Sequence, residues 1–390
     1  MLTLLKALLV PISSLILMML ASGLFNTFVS IRLEIEGYST EDIGIVTSAL
    51  YLGILVGSLR IDRWIARAGH IRSFAIFAIV LTLLVLAQAM WINIWYWSAL
   101  RFIGGICTAG VFIVIESWFL IQGGPQMRGT SISLYLAILY AALSGGQLLL
   151  DLSDPKSFWS FYITAALLGA SIAPLLLYKI AQPKISPSER LGLLQLLRLS
   201  PLGFAGGVIS GMLLASIYGL LPVYGKEVGM RISEIGTLMA ILIFGGFSLQ
   251  WPLGHLADRT GKRKILNIAS LITTLLAFTI ATMHPLSNIS FMTLAWFFGG
   301  FSFTLYPLSM AHACERMKEN QIVPATGGFV LSYGVGAIAG PLLAPLSMQY
   351  FGSAGLFYFL GAITLMLCLF GIKRPATYAS ADSDATRDDS

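Results

Sequence analysis

Long apolar runs separated by short polar clusters recur along the whole chain. A helix needs about 20 apolar residues to cross the hydrocarbon core of a bilayer, and the chain contains twelve runs near that length. The pattern therefore predicts an all-α membrane protein with twelve transmembrane helices. The predicted spans, numbered in chain order, are residues 8–30, 42–61, 73–92, 96–121, 128–150, 157–178, 200–223, 233–255, 264–284, 288–312, 324–347 and 353–372.

Composition supports a membrane environment and excludes an ordinary soluble domain. The 390 residues are 57% hydrophobic and 11% charged, whereas about a quarter of the residues in a soluble protein are charged. Cys107, Cys314 and Cys368 are too scattered for a disulfide framework or a zinc site, so we expect no metal and no cofactor. The net charge of +6 comes from short basic clusters rather than a stripe with interleaved aromatic residues, which argues against nucleic acid as a partner.

The distribution of Lys and Arg among the connecting segments predicts the orientation. Nineteen of the 24 basic residues fall on the side that carries both termini, four fall on the other side, and Arg101 lies within a span. Because cytoplasmic loops are enriched in Lys and Arg, we predict that both termini face the cytoplasm. We expect the membrane to be a bacterial inner membrane. We expect the chain to sit in the lipid bilayer as a monomer.

A polar segment near the midpoint, residues 179–199, divides the predicted spans into two sets of six. We therefore predict two helical bundles joined by a cytoplasmic linker and followed by a short disordered tail. The predicted boundaries are 1–178 for the N-terminal bundle, 179–199 for the linker, 200–374 for the C-terminal bundle and 375–390 for the tail.

The two halves also resemble each other in sequence. The pairs Ile43-Gly44 and Ile235-Gly236 are related by an offset of 192, and the pairs Gly104-Gly105 and Gly299-Gly300 by an offset of 195. Glycine pairs are common in any protein with many spans, which is the simpler explanation of these matches. Internal repeats are nevertheless how transporters build a substrate site between two moving bundles.

The residues of the loop between predicted spans 8 and 9 each suggest a specific structural role. Asp258 stands at a helix end, where it can pair with Arg or accept hydrogen bonds from a neighbouring helix N-terminus. Gly261 permits a tight turn, and the basic residues hold the loop at the cytoplasmic surface. Such a pairing would form a latch that one conformation makes and another breaks. The predicted latch residues of this half are Gly254, Asp258, Arg259, Gly261, Lys262 and Arg263.

Residues 254–264 resemble the G-x-x-x-D-R-x-G-[RK]-[RK] signature of the major facilitator superfamily and match it at every fixed position. The resemblance implies two pseudo-symmetric six-helix bundles that alternate access to one site, and it implies a small-molecule substrate rather than catalysis. Because no nucleotide-binding P-loop or cation cage is present in the sequence, we expect protons to drive transport.

The first half keeps only part of this signature. When the offset of 192 is applied, Arg67, Gly69 and Arg72 align with the second copy, but Ala66 occupies the acidic position. The nearest carboxylate, Asp62, lies one helical turn earlier. We predict a first latch made of these three residues and Asp62, which is either based on that carboxylate or weak.

Two ionisable residues lie inside predicted span 4, where a charge is expensive and marks a candidate functional site. Arg101 with Gly105 resembles the R-x-x-x-G motif of proton-coupled superfamily members, in which the Arg is associated with proton transfer. Alternatively, Arg101 extends to the outer interface, as long basic side chains near helix ends do. With either interpretation, Arg101 is the best candidate for attracting an anionic group of the substrate.

Glu116, in the inner third of the same span, has two possible roles. If it faces a cavity, it can carry a proton through the transport cycle. If it faces the basic cluster at residues 60–67, it is a gate residue, and the similar depth of that cluster favours this second role. His312 and Glu315 occupy the equivalent place in the second half. We predict that Glu315 pairs with Lys262 or Arg263, while His312 is either titratable or only a packed interfacial side chain.

Polar and aromatic residues within the spans are candidates to line a substrate cavity. The resemblance implies that helices 1, 4, 7 and 10 surround the central path, which favours Asn26, Tyr218 and Tyr306. Trp296 would lie opposite Arg101 by internal symmetry and either stacks on an aromatic ligand or only packs. Most such residues form hydrogen bonds between helices, so we expect fewer than half to contact substrate. The candidates are Asn26, Gln88, Gln147, Tyr218, Gln250, Trp296, Tyr306 and Tyr333.

Several functional alternatives remain open at this point. Import of a solute such as a siderophore and efflux of a drug or metabolite are nearly equally supported, although residues 144–147 lack the G-x-x-x-G-P element of many antiporters. A membrane-embedded enzyme would need several convergent catalytic groups, and only Glu116, His312 and Glu315 offer themselves. A non-transporting receptor would not need a transporter-like latch.

Overall fold

The structure of the chain is a computed structural model that describes residues 2–122, 124–152, 154–177, 192–282, 288–315, 317 and 319–373. All regular elements in these ranges are helical. The principal helices are α1 (Leu2–Ile35), α2 (Thr40–Ala68), α3 (His70–Met90), α4 (Ile94–Gln122), α5 (Gly124–Leu148), α6 (Trp159–Ala170), α7 (Pro201–Glu227), α8 (Ile232–Thr260), α9 (Lys262–Thr282), α10 (Asn288–Cys314), α11 (Glu319–Phe351) and α12 (Gly355–Lys373).

The twelve predicted spans each correspond to one of these helices. Ten stretches of the described chain are long and apolar enough to cross a membrane, and the last of them, Ala325–Lys373, contains both α11 and α12. These two helices are separated by a short 3-10 turn at Gly352–Ala354. The shorter apolar segment Trp159–Leu175 corresponds to predicted span 6. The predicted all-α membrane fold is therefore confirmed. The predicted tail lies outside the described residues, as does most of the predicted linker.

Predicted span 6 is continuous in the sequence but not in the structure. Helix α6 ends at Ala170, and a separate short helix runs from Ala173 to Leu177. Pro174 explains the break, because a proline ring collides with the carbonyl four residues earlier and donates no hydrogen bond. The amide of Ser171 still reaches back to the carbonyl of Leu167 at 3.0 Å, which closes the last turn of α6.

The two halves repeat the same backbone turns at a fixed spacing. Gly37 and Gly229, in the connections α1–α2 and α7–α8, have φ of 84° and 81° and are related by the same offset as the two Ile-Gly pairs. Gly69 and Gly261, between α2 and α3 and between α8 and α9, have φ of 85° and 101° and keep that offset. Positive φ is available to glycine at little cost, so these positions require glycine. The internal repeat therefore extends to the geometry of the turns.

Close helix crossings inside each bundle depend on glycine. A Cβ at Gly105 of α4 would overlap the carbonyl oxygen of Leu50 on α2, and a Cβ at Gly299 of α10 would overlap that of Leu242 on α8. Small residues allow such close contact between membrane helices. The two leucines keep the offset of 192, but the two glycines are related by an offset of 194. The repeat therefore shifts register before the fourth helix.

Aromatic side chains fill the interior of each bundle. In the N-terminal bundle, the Phe28 and Phe161 ring centroids are 4.8 Å apart, and Trp97 stands edge-on to Phe161 at 6.1 Å. In the C-terminal bundle, Tyr224 and Phe357 meet edge-on at 4.9 Å. Edge-to-face pairs of this kind add to the free energy gained from burying the rings. Each bundle thus has its own aromatic cluster within one continuous buried core.

The bundles meet most tightly where α1 joins α2 and α7 joins α8. We name this end, which the basic residues predict to face outward, the outer end, and the opposite end the inner end. There α2 packs on α11, and α5 packs on α8. A Cβ at Gly44 would overlap the carbonyl oxygen of Pro341, and one at Gly236 would lie 2.7 Å from that of Gln147. Pseudo-symmetric contacts therefore close the molecule at its outer end.

Candidate functional site

A cavity of about 340 Å³ lies between the bundles at the middle depth of the helices. Nine of the twelve helices contribute to its lining, α1 to α7 together with α10 and α11. Most of the lining residues belong to the N-terminal bundle, and most are apolar. The volume is at the lower end of the roughly 300–1,000 Å³ found for small-molecule sites. The cavity is therefore the candidate substrate site.

The cavity is closed toward the outer end and accessible from the inner end. At the outer side of the cavity, the Ser48 hydroxyl donates to the Ile338 carbonyl at 2.8 Å, and the Ser144 hydroxyl donates to the Ala240 carbonyl at 2.9 Å. These bonds join α2 to α11 and α5 to α8. Toward the inner end, Val330 lines the cavity and is 42% exposed. In this conformation the contacts between the bundles therefore block the outer side, while part of the lining is exposed on the inner side.

Arg101 is the one charged side chain among the described residues that line the cavity. It is only 7% exposed, and its guanidinium carbon lies 5.3 Å from the centroid of the Phe25 ring. No carboxylate of the described chain forms an ion pair with it, and its Nε has no hydrogen-bond partner. Arg101 therefore does not reach the outer surface, and its charge is directed into the cavity.

Four tyrosines from four helices surround the cavity beside Arg101. They are Tyr51 of α2, Tyr140 of α5, Tyr218 of α7 and Tyr333 of α11. Phe303 of α10 packs edge-on against both Tyr140 and Tyr218 with centroid distances of 5.9 Å. Within the described chain, no protein group forms a hydrogen bond with any of the four hydroxyls. Both bundles thus present phenol groups that a ligand can use.

Among the predicted cavity residues, Asn26, Gln88, Tyr218 and Tyr333 line the cavity. Gln88 is almost fully buried, with its amide nitrogen donating to the Leu84 carbonyl at 3.3 Å and its Oε1 unpaired. These residues come from α1, α3, α7 and α11, so the lining is not limited to the four helices expected from the resemblance.

The other predicted cavity residues lie outside it. Gln147 is fully buried and accepts a hydrogen bond from the Thr27 hydroxyl at 2.6 Å, which joins α5 to α1. Tyr306 packs edge-on against Tyr333 at 5.3 Å, behind the lining. Gln250, on the second half of α8, is also absent from the lining. These side chains serve helix packing in this conformation.

Trp296 is not the symmetry equivalent of Arg101. The carbonyl of Phe102 lies against Gly53, and the carbonyl of Trp296 lies against Gly245, so Phe102 and Trp296 occupy matching positions. The two glycines keep the offset of 192, whereas Phe102 and Trp296 are related by an offset of 194. The offset of 195 inferred from the glycine pairs was therefore one position too long. Trp296 packs edge-on against Phe297 and does not line the cavity.

Sequence reasoning missed Tyr51, Tyr140 and the aromatic wall formed by Phe25 and Phe303. A signal was present, because tyrosine in membrane helices is enriched at the two interfaces and both tyrosines stand near the middle of a predicted span. The direction of their side chains, however, depends on how the helices are rotated about their axes. That rotation is set by contacts between distant parts of the chain.

Glu116 lies one helical turn beyond the cavity-lining residue Phe112, toward the inner end. Its side chain is exposed, and no ion pair connects it with any Arg of the described chain, including the three in the cluster at residues 60–67. Glu116 thus lies on the inner side of the cavity.

The predicted latch of the second half forms a small charged network. Lys262 Nζ lies 3.9 Å from Asp258 Oδ1 and 3.4 Å from Glu315 Oε1, which connects the α8–α9 turn with the end of α10. His312 Nδ1 lies 3.8 Å from Glu315 Oε2. Arg263 donates through Nε and Nη2 to the carbonyl of Gly371 on α12 at 3.1 and 2.7 Å. The turn is therefore tied to two other helices of its own bundle.

Gly254 does not make the close helix contact that its place in the motif suggests. A Cβ there would meet no described heavy atom within 4 Å. Arg259 is exposed and forms no ion pair with any described carboxylate. These two positions are free of tight contacts in the conformation with a closed outer end.

The first-half copy keeps the turn but not the network. The amide of Gly69 donates to the Ile65 carbonyl at 2.9 Å, as the amide of Gly261 does to its own helix. Asp62 accepts a hydrogen bond from the Arg63 amide at 2.9 Å. Arg67 and Arg72 are exposed and have no ion-pair partner in the described ranges. Among the described residues, the equivalent of the Asp258–Lys262–Glu315 network is therefore not seen on this side.

No group of three or more His, Cys, Asp or Glu side chains in the described ranges could hold a metal ion. Cys107 and Cys368 are buried and Cys314 is partly buried, each as a free thiol. The polar chemistry of the site is therefore that of Arg101, the four tyrosines, the amides of Asn26 and Gln88 and the hydroxyls of Ser22, Thr108 and Thr164.

Comparison with known proteins agrees with this architecture. The family model described as Major Facilitator Superfamily matches residues 12–322 and 203–388. An uncharacterized MFS-type transporter of Escherichia fergusonii, YcaD, is 31% identical over 364 residues, which cover 93% of this chain and 94% of YcaD. Both the family model and the relative are matched over most of the chain.

Solved structures show the same fold at low sequence identity. The nucleoside transporter NupG aligns with a TM-score of 0.78 at 13% identity, covering 93% of this chain and 98% of NupG. A D-xylose-proton symporter aligns with a TM-score of 0.71 at 15% identity, covering 94% of this chain and 97% of the symporter. With its two repeated six-helix bundles, its central cavity and these matches, the chain belongs to the major facilitator superfamily of membrane transporters.

Proposed function

We propose that the protein is a secondary active transporter that carries a small organic solute across a bacterial inner membrane by alternating access. It acts as a monomer with both termini in the cytoplasm, and protons supply the driving force. The observation that carries the proposal is the central cavity, which is closed at the outer end by contacts between bundles and accessible from the inner end.

The internal repeat supports alternating access. The contacts α2–α11 and α5–α8 are related by the repeat, with Gly44 and Gly236 at equivalent positions of the two halves. Two related bundles can exchange roles by tilting against each other about a fixed midplane site. In the opposite conformation these outer contacts separate, and the inner ends of the bundles approach each other.

The place of Glu116 supports proton coupling. A carboxylate between the cavity and the inner end can take up a proton on one side and release it after the bundles tilt. The fold is compatible with such coupling, because the D-xylose-proton symporter shares it. Glu116 is therefore the proposed proton carrier.

The experiment is transport into proteoliposomes that contain the purified protein, with and without an imposed pH gradient. A mixture of labelled small acids, sugars, nucleosides and amines is offered, and retained solutes are identified by mass spectrometry. The proposal predicts that at least one solute accumulates against its gradient when a pH gradient is present. The proposal would be contradicted if protein-free liposomes retained every solute equally well. It would also be contradicted if the imposed pH gradient did not change the amount of solute retained.

A further inference from the structure

Resting on the proposed transport function, we infer that the cavity binds a small organic anion: a carboxylate held by Arg101, with an aromatic or similarly apolar body packed among the tyrosines. The starting observation is a cation nine-tenths buried, directed into an otherwise uncharged cavity and paired with no carboxylate of the described chain. Its Nε has no hydrogen-bond partner either.

An unpaired buried charge needs a counter-charge. Removing a guanidinium from water is unfavourable unless an anion and hydrogen bonds replace the lost hydration. The Phe25 ring 5.3 Å away compensates only in part, since a cation–π contact is weaker than a charge pair in the same environment. A ligand carboxylate would supply both the missing charge and two parallel acceptors, the geometry that the planar guanidinium group favours.

The remaining lining suits an apolar or aromatic body. Most lining residues are apolar, and Phe303 stands edge-on to both Tyr140 and Tyr218 on the wall formed by α5, α7 and α10. Aromatic ligands pack well against such edge-to-face rings. The free phenol hydroxyls provide hydrogen bonds for one or two further polar atoms.

The same features argue against other ligand classes. An organic amine would place its positive charge beside Arg101 with no carboxylate in the described lining to compensate. A long-chain fatty acid shares the carboxylate but requires more room than a cavity of about 340 Å³ closed at one end. The favoured ligand is therefore a compact monoanion and not a membrane lipid.

Three probes of nearly equal size separate charge from shape: phenylacetate, phenylacetamide and phenethylamine. Each is added to the full-length protein in lipid nanodiscs, and binding is followed by thermal shift and isothermal titration calorimetry. The inference predicts that phenylacetate binds and that the neutral amide and the amine bind about tenfold more weakly or not at all, as expected for loss of a charged hydrogen bond. Equal binding of all three probes, or tighter binding of the amine, would overturn it.

Variants link the anion preference to Arg101. Arg101→Gln should lose the preference for phenylacetate over its amide, whereas Arg101→Lys, which keeps the charge, should retain part of it. Arg231→Gln is the matched control, because Arg231 is exposed in an outer turn where it pairs with Glu234 at 2.9 Å. If Arg101→Gln binds phenylacetate like the control, the inference is wrong. The three-probe comparison on the unmodified protein decides the matter even if a variant fails to fold.

Dodecanoate distinguishes the two sources of a carboxylate. An Arg101-dependent shift that is larger for dodecanoate than for phenylacetate would assign the site to a lipid acid and overturn the small-anion inference. Arg101-dependent binding of phenylacetate without transport of any solute would leave the inference intact and contradict the proposed function. Transport of sugars or amines with no phenylacetate binding would contradict the inference and leave the proposed transport function intact.

Discussion

Two charged side chains of one helix lie at different depths of the molecule. Arg101 and Glu116 share helix α4, fifteen residues apart, which is about 22 Å along a helix. They cannot pair directly, so one of them acts on the cavity and the other on its inner approach. The Arg101 side chain, at the cavity, is almost inaccessible to solvent, whereas the Glu116 side chain is exposed. Under the proposed function, this separation would place the substrate charge and the transported proton at different depths.

Replacing Glu116 tests the proton-carrying role. Glu116→Gln keeps the shape of the side chain but cannot gain or lose a proton, so transport driven by a pH gradient should fall to background. Exchange of solute across the membrane without a gradient should continue, because it needs no net proton movement. Proteoliposome uptake with and without the gradient measures both. Glu234→Gln, at an outer helix start, is the control, and persistent gradient dependence in Glu116→Gln would assign Glu116 to a gate.

At the scale of helices, glycine at the crossings sets how closely neighbours approach. Gly105→Ala would drive a methyl group into the backbone of α2 at Leu50, so we predict a loss of about 1–3 kcal/mol in stability. Gly104→Ala, one residue away, is the control because its Cβ would meet only side-chain carbons at 3.7 and 3.8 Å. Thermal unfolding in detergent compares the two. Equal unfolding temperatures would contradict the proposed crossing.

The turn glycines of the latch should separate stability from transport. Gly261→Ala would place an alanine at φ of +101°, a strained region for side-chain-bearing residues, and we predict a lower unfolding temperature. Gly254→Leu should leave that temperature nearly unchanged, because no described atom lies within 4 Å of its Cβ. It should nevertheless slow transport, since the motif predicts a close approach at Gly254 in the opposite conformation. Unimpaired transport by Gly254→Leu would refute that approach.

Helix existence was predictable from the sequence, but helix ends and register were not. Apolar length is a local property, so all twelve spans were found. Their ends depend on individual groups: the Ser39 hydroxyl caps α2, and Pro174 breaks predicted span 6. The internal symmetry was visible at an offset of 192, yet its change to 194 before α10 misplaced Trp296. Motifs alone could not show that change, because it depends on which carbonyl meets Gly245.

The candidate site was predictable only in part, for a related reason. Arg101 stood out because a charge in a membrane span is rare. Tyr51 and Tyr140 stand at an unusual depth for tyrosine, but the direction of their side chains cannot be predicted until the rotation of each helix is known. Gln147 was misjudged because its partner, Thr27, lies far away in the chain, on α1. Side-chain direction is a property of the assembled bundles.

At the scale of the whole molecule, alternating access requires the bundles to part at the outer end. A disulfide between Ser48→Cys and Ile338→Cys, in a background lacking the native cysteines, should therefore abolish transport, and reduction should restore it. These positions are joined by a hydrogen bond of 2.8 Å between α2 and α11. Solute counterflow before and after reduction measures the effect.

The control for this cross-link stays within one bundle. Thr274 and Thr364 hydroxyls lie 2.9 Å apart between α9 and α12, so a disulfide between cysteines at those positions joins helices that move together. That cross-link should leave transport unchanged. If the cross-link between bundles also left transport unchanged, the two bundles would not rock about the cavity as proposed.

Gly44 offers a position at which a substitution can stabilise a single conformation of the protein. It lies directly on the carbonyl of Pro341 where the two bundles meet, so a bulky side chain there cannot be accommodated without prying them apart. Gly44→Trp should hold the two bundles apart at the outer end. It should therefore favour the conformation in which the cavity is open on that side. This variant would be suited to structure determination of the proposed conformation that is open at the outer end.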